Sequence, residues 1–570
     1  MNPPPMSRKT LIGPLAVSAV YWAAALLLPS LQDVALNDDW AYASAVRALF
    51  QRGSIELPIW ATPSLIIQAM WGALFNFLFG PGYGPLRLST LMLGWVGVLA
   101  FHDLVRQDGH EKSPGLDGLL ALLFAFNPLF FVLCPSFMTD VPALSLSLIA
   151  LALSRRALNG GRCDWRWLAM GSAFAALSYG IRQTAILIPA GLTACYWRAS
   201  RRDRRILWAV WALPLAAVAC QLAWRQPAQA LFGNTYLWIW EMQPDPWRCA
   251  ILIAQRIAAS LAYCGLFSIP LAAAFWWGRP LESVRRVTAR RWYPVMAVSA
   301  LLALFLLCGG WLPYSPFPSD GRLAKGLFHE CNYISRWGLG CFNINGMEFR
   351  PWFFVQSGWF WGTITALSWV SLATLGAALA AGPIPPAGIL AALTLAPQFA
   401  VTLLGAYFFD RYILALVPVA LLCGRIAAGS RLRSRIALGI AALPLALFSW
   451  AGTADYLRAT ASAWKLGQRA VEAGLPPGEI HADMDWCWAH NERKVFNEVG
   501  RRASNGRIPA DETSLSCMSA PRAVVTFKPP PRLPHELMAS ERFFSPLSLR
   551  AEWLHLYRRA SSPPSPTGPK

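Results

Sequence analysis

Residues 250–278 read AILIAQRIAASLAYCGLFSIPLAAAFWWG, an apolar run interrupted by one charged residue, Arg256. A helix needs roughly 20 mostly apolar residues to cross the hydrocarbon core of a bilayer, and this run exceeds that. Similar runs recur along the chain. Counting outward from it gives thirteen expected spans: 11–31, 85–105, 116–135, 138–156, 165–181, 183–198, 206–224, 250–278, 292–313, 352–381, 384–408, 411–425 and 436–453. The chain is therefore expected to be an α-helical polytopic membrane protein. Pro128, Pro135 and Pro142 break the pattern and predict interrupted or tilted helices.

Charge supports this reading. Only 14% of residues are charged, against about 25% in an average soluble domain. The formal charge of +20 does not point to nucleic acid, because the arginines gather in short loops between spans. The clusters are Arg155, Arg156, Arg162 and Arg166; Arg198, Arg201, Arg202, Arg204 and Arg205; Arg279, Arg285, Arg286, Arg290 and Arg291; and Arg425, Arg431, Arg433 and Arg435. That is the positive-inside pattern. Arg8 and Lys9 precede the first run without a small-residue cleavage site, so it reads as a retained span with the N-terminus inside. Every arginine cluster then falls on the inner side, and the segment after about Asp455 falls outside, which is the periplasm in a bacterium.

Three outer segments are long. The first, 32–84, begins acidic and continues with amphipathic stretches at Ala43–Phe50 and Leu65–Phe79 that suit helices lying along the interface. The second, 314–351, is rich in Gly, Asn, Phe and Trp. The third, 455–560, has strand-like runs at Ala523–Phe527 and Trp553–Tyr557 and is expected to form a small α/β domain, with a disordered tail over 561–570. The expected division is thus 1–454, 455–560 and 561–570. The twelve cysteines show no zinc spacing. Two outer pairs, Cys331 with Cys341 and Cys487 with Cys517, could form disulfides in an oxidising compartment.

The sharpest local feature is Asn37-Asp38-Asp39-Trp40-Ala41-Tyr42, two adjacent carboxylates at the outer mouth of the first span. Such carboxylates are costly beside apolar surroundings unless paired or used; the plain alternative is a solvated loop start. Arg87, Arg182 and Arg411 lie near outer ends and could bind a phosphate through bidentate contacts, or could snorkel or pair structurally. Asp140 is either a second acidic site residue or a helix N-cap before Pro142. Asp410 could be structural, and Arg256 is a further candidate for facing a cavity. His481-Ala482-Asp483-Met484-Asp485 could line one face of a strand, but as a metal or sugar-nucleotide motif it is weak.

The sequence resembles the GT-C superfamily of polyprenyl-phosphate-sugar glycosyltransferases, especially the protein O-mannosyltransferase and lipid A aminoarabinose transferase branch. The resemblance rests on Asp38-Asp39-Trp40-Ala41-Tyr42, with Asp39 where the family usually has Glu. It rests also on Leu86-Arg87-Leu88, Phe137-Met138-Thr139-Asp140-Val141-Pro142 and Phe409-Asp410-Arg411-Tyr412-Ile413-Leu414, and it covers roughly 10–455. It implies a GT-C-like bundle of about 13 transmembrane helices with periplasmic loops and a C-terminal periplasmic domain in a bacterial inner membrane. It implies inverting transfer of a sugar from a polyprenyl-phosphate donor to an envelope lipid, glycan or protein acceptor. The resemblance makes Asp38 the general base; Asp39 could orient it or help hold a cation, and the residues themselves nominate Asp140, Arg87, Arg182, Arg411 and Tyr42 as substrate-binding. No cofactor is certain; a divalent cation is left open and unassigned. Two other readings stand beside it: a transporter or flippase, which the absence of an internal repeat disfavours, and a non-catalytic envelope scaffold.

Overall fold

The computed structural model describes residues 8–56, 65–108, 114–158, 163–199, 204–223, 238–278, 312–313, 332–347, 350, 358–405, 408–429, 431–492, 521–528 and 535–559. The first helix, α1 (Arg8–Leu26), leads into a loop and two short helices, α2 (Asp39–Arg52) and α3 (Ile66–Phe79). The bundle continues through α4 (Tyr83–Gln107), α5 (Pro114–Ala125), α6 (Pro128–Leu133), α7 (Asp140–Leu158), α8 (Trp165–Tyr179), α9 (Leu187–Ala199) and α10 (Arg204–Ala223). After it come α11 (Pro246–Phe267), α12 (Ile269–Gly278), α13 (Gly358–Ala381), α14 (Pro386–Leu403), α15 (Leu416–Ala428) and α16 (Leu432–Glu472).

Among the described residues, eight helical segments are long and apolar enough to cross a membrane, and three shorter apolar helices accompany them. The protein is a multi-pass membrane protein. Each expected span coincides with helix except 292–313, which lies almost wholly outside the described residues. The count of full-length spans is smaller because several runs break. Asn127 stops the run 116–135: its side chain accepts from Leu129 N and Phe130 N, and Pro128 takes the first helical position. The run 183–198 opens with a 3-10 turn, Gln183–Ile186. The run 250–278 divides at Ser268 into α11 and α12.

Close helix approaches are made by small residues, as expected where lipid supplies no hydrophobic drive between helices. A Cβ on Gly97 of α4 would strike Ser145 of α7, and one on Gly265 of α11 would strike the Ser368 carbonyl of α13. At one end of the bundle, charged pairs close the helix ends. Asp108 binds Arg155 at 3.2 Å and accepts from Ala387 N at 2.6 Å, and Arg425 binds Asp117 at 3.0 Å. The candidate site lies at the other end.

The C-terminal side departs from expectation in two ways. The last helix does not stop where the expected span 436–453 ends. α16 runs to Glu472 because Leu457, Ala459, Ala463, Leu466 and Ala470 keep a buried apolar stripe at helical spacing. Nor does 481–485 lie along a strand. After a small antiparallel pair, β1 (Ile334–Ser335) and β2 (Gly338–Leu339), β3 covers only Ile480–His481, and Asp483 then caps a short helix, α17 (Met484–His490), by accepting from Trp486 N at 2.6 Å. The sheet is nonetheless present. β3, β4 (Ala523–Thr526), β5 (His535–Ser545) and β6 (Arg550–Arg559) pair in the order β3-β4-β6-β5, with β3 and β4 parallel and the rest antiparallel. It is fastened to α16 by a buried triad: Arg350 binds Asp455 at 2.9 Å and Glu552 at 2.6 Å. Cys341 is a buried thiol and Cys487 is disulfide-bonded, while Cys331 lies outside the described residues. Cys517 and the tail 561–570 lie outside the described residues.

Candidate active site

Four segments meet where the chain leaves α1. They are the start of α2, the loop 136–140 entering α7, the turn after α8, and a 3-10 turn at Asp410–Ala415. Their convergence follows from bonds between segments far apart in sequence. Arg411 Nη2 lies 3.3 Å from Asp38 Oδ2, and its Nη1 is 3.4 Å from the same oxygen. Arg182 Nη2 lies 2.8 Å from Asp140 Oδ1, and its Nε donates to Thr139 Oγ1 at 2.9 Å. Both guanidinium carbons sit 5.7 Å from the ring centre of Tyr412, so one aromatic ring contacts both cations.

Asp140, Arg182, Arg411 and Tyr412 line an open cleft of about 440 Å³, a volume that includes open solvent, and Asp38 reaches its edge through Arg411. Arg182, Arg411 and Asp140 supply its charge, Ser147, Thr184, Gln398 and Thr402 its neutral polar groups, and Leu144, Leu395, Phe399 and Leu414 its apolar wall. Arg411 Nε is buried and has no hydrogen-bond partner, and neither oxygen of Asp140 makes a well-aligned hydrogen bond. The Asp38 side chain is 28% exposed. The arrangement can therefore offer a carboxylate and two cations to a ligand at one place.

The adjacent carboxylates have opposite fates. Asp38 turns toward Arg411. Asp39 turns inward, is fully buried, and accepts from Phe137 N at 2.8 Å. Gln68 holds the other side of the same residue by donating to Phe137 O at 2.6 Å. Asp39 thus fixes the loop that delivers Asp140 and does not reach the cleft. Burial pushes its carboxyl up to about 7, although Arg87 and the Phe137 N–H pull it back. Tyr42 follows one turn later, its amide donating to Asp38 O at 3.2 Å. Burial, then the charge of Asp38, raise its hydroxyl above the ordinary value, so it remains a proton donor.

Two arginine expectations change. Arg87 is fully buried. It donates to Gln32 O at 2.8 Å, Ser30 O at 3.4 Å and Val34 O, with Asp39 at 3.9 Å. It clamps the loop leaving α1 and is not available to a phosphate. Arg256 donates to Leu403 O at 2.6 Å and Gly405 O at 2.5 Å and stacks on Phe408, closing the end of α14 instead of facing the cleft. Asp410 is structural, accepting from Tyr333 N at 3.0 Å and Ile334 N at 2.7 Å. The sequence reading missed Asn37, Gln68 and Tyr333 as supports. Only Asn37 carried a signal, since asparagine tolerates the left-handed backbone it adopts at φ 53°. Among the described residues, no cluster of three or more His, Cys, Asp or Glu is arranged to hold a metal ion.

Residues 67–224 match the family model described as dolichyl-phosphate-mannose-protein mannosyltransferase. The matched stretch contains Arg87, Asp140 and Arg182. No curated protein matches the chain in sequence. Among solved structures, the apo ArnT of Cupriavidus metallidurans is similar at 15% identity and a TM-score of 0.41, covering 96% of this chain and 98% of that one. The same protein bound to undecaprenyl phosphate gives 13% identity and a TM-score of 0.38 over 96% and 98% of the two chains. AglB of Archaeoglobus fulgidus, in complex with an inhibitory peptide and a dolichol-phosphate, gives 12% identity and a TM-score of 0.43, covering 91% of this chain and 70% of that one. Likenesses at this level place no side chain, and the site stands on its own geometry.

Proposed function

We propose that this protein is an inverting glycosyltransferase that moves a sugar from a polyprenyl-phosphate donor to a lipid, glycan or protein acceptor. In this reading it sits in a bacterial inner membrane, with its N-terminus in the cytoplasm and the site and C-terminal segment on the periplasmic side. The observation that carries the reading is the pairing of a part-exposed carboxylate, Asp38, with Arg411 at the edge of a cleft that also holds Arg182. The matched family supports the donor class.

The chemistry assigns each group a task. The acceptor hydroxyl attacks the anomeric carbon as the bond from that carbon to phosphate oxygen breaks. Asp38 takes the hydroxyl proton. The lipid phosphate leaves with the bonding electrons, and its charge is met by Arg411 and Arg182, whose planar forks match phosphate oxygens. Asp140 holds Arg182 in place through its 2.8 Å contact. Tyr42 lies beside Asp38 and donates from its hydroxyl. Asp39 supports the loop from below.

The test is sugar transfer from a synthetic polyprenyl-phosphate donor by purified protein, beside Asp38→Asn confirmed to be folded. General-base removal is expected to lower turnover by about 10²–10⁴-fold. Equal turnover by the two would remove Asp38 from the role of base. Absence of transfer by wild type across a panel of donors and envelope acceptors would defeat the enzyme reading and advance a transporter. Repeating the assay with a chelator, then with added Mg²⁺ or Mn²⁺, reads any need for a divalent cation.

A further inference from the structure

Asp485 lies 448 positions from Asn37, yet its Oδ2 accepts the Asn37 backbone N–H at 2.8 Å in a buried setting. Asn37 immediately precedes Asp38 and is one of two non-glycine residues with positive φ among those described. A backbone held in that conformation needs support from its surroundings. Support comes from two sides. Asp485 takes the amide, and Tyr333 Oη accepts from Asn37 Nδ2 at 3.1 Å. Tyr333 is in turn pinned by its own amide to Asp410, next to Arg411.

The contact is one of several along the same short helix. Trp488 packs on Trp40 with ring centres 5.7 Å apart, and Ala35, Trp40 and Ala41 share an apolar cluster with Met484, Cys487 and Trp488. Further along α2, Arg47 binds Glu492 at 2.9 Å. The base of α17 is itself fixed: Asp483 caps it and also accepts from Trp464 of α16 at 3.1 Å. The second oxygen of Asp485 has no hydrogen-bond partner, so the Asn37 amide is the bond shown for this carboxyl group.

We infer that Asp485 is a positioning residue for the transfer reaction, and that α17 acts as a latch setting the aim of Asp38 at Arg411. The inference rests on the proposed role of Asp38 as base. Its physical logic is simple. The contacts between Asp38 and Arg411 are long, at 3.3 and 3.4 Å, and do not hold the loop by themselves. The left-handed residue before Asp38 determines where its side chain points. The group that holds that residue belongs to the C-terminal segment, which thereby acts on the site without touching substrate.

The experiment uses full-length protein in detergent with Asp485→Ala and Asp485→Asn. Asparagine keeps a side-chain oxygen able to accept the Asn37 N–H; alanine does not. Two readouts are taken. The first is hydrogen exchange over residues 36–41: protection is expected to fall in Asp485→Ala and to persist in Asp485→Asn. The second is transfer kinetics: kcat is expected to drop roughly ten- to a hundredfold in Asp485→Ala with KM for the donor nearly unchanged, and to recover in Asp485→Asn. Unchanged exchange in Asp485→Ala would overturn the latch. Loosened exchange with unchanged kcat, or a loss explained by the fraction of unfolded protein, would overturn the positioning role. If wild type transfers no sugar, the glycosyltransferase reading fails while the exchange result still decides the latch.

Discussion

Arg87 and Arg411 are both almost fully buried, sit near the same end of the bundle, and each faces one of two adjacent aspartates. They do different things. Arg87 is enclosed by the carbonyls of Ser30, Gln32 and Val34, with Asp39 beyond. Arg411 has two long contacts to a single oxygen of Asp38, rests on Phe409 and Tyr412, and lines the cleft. A guanidinium saturated by backbone carbonyls fastens the fold. One held by a part-exposed carboxylate retains the capacity to bind an anion. The partners decide the role, not the depth of burial.

The comparison is broken most severely at Arg87. Replacing it by methionine keeps much of the bulk but leaves the three carbonyls and the Asp39 carboxylate without their donor. Removing one member of a buried ion pair costs about 3–5 kcal/mol. Arg87→Met is therefore expected to lower thermal stability in detergent sharply, and transfer should fall in proportion to the folded fraction. Full activity per folded molecule with a large stability loss would confirm the clamp. A folded, stable and inactive variant would return Arg87 to the substrate.

Arg411→Gln is expected to do the reverse. Its lost partners are one long ion pair and aromatic contacts, so stability should change little. Turnover should fall by about 10²-fold, the scale seen when one preorganised donor to developing charge is removed. Substrate-concentration dependence sharpens the test: a phosphate contact strengthened in the transition state lowers kcat more than it raises KM. An unfolded variant would mean that Arg411, like Arg87, is a fastener.

The sequence displayed the bundle, the carboxylate pair and both cleft arginines, because hydropathy, charge in an apolar stretch and motif order are local properties. It did not separate Arg87 from Arg411, since both read as arginines at the end of a span; the carbonyls that saturate Arg87 come from residues 30–34, over fifty positions away. It did not divide the work of Asp38 and Asp39, which depends on one turn of helix and on Phe137. Asp483 and Asp485 looked like a weak metal or sugar-nucleotide motif. They are a cap and a latch, and no periodicity links Asp485 to Asn37. The overrun of α16 was legible in its apolar spacing but concealed by the expectation that a span ends at the membrane.

The smallest effect separates the two aspartates by pH. The Asp39 carboxyl is pushed from the ordinary 3.8 up to about 7, chiefly by burial. Between those values the folded protein keeps a proton that the unfolded chain has released, so the fold binds more protons than the unfolded state and stability declines as pH rises. The contribution is fully present below 3.8 and is lost as pH passes through about 7. Other groups overlap this window: Asp483 is also raised to about 7 by burial, whereas His481 is lowered to about 4 and acts in the opposite sense. The wild-type curve alone is therefore a sum, and the difference from Asp39→Asn isolates the one residue. Asparagine keeps an oxygen for the Phe137 N–H and cannot ionise. Melting temperature measured in detergent from pH 4 to 8 is expected to fall for wild type relative to Asp39→Asn as pH rises. Parallel curves would mean that Asp39 is already ionised against Arg87 at acid pH, and that the pair is an ordinary buried salt bridge.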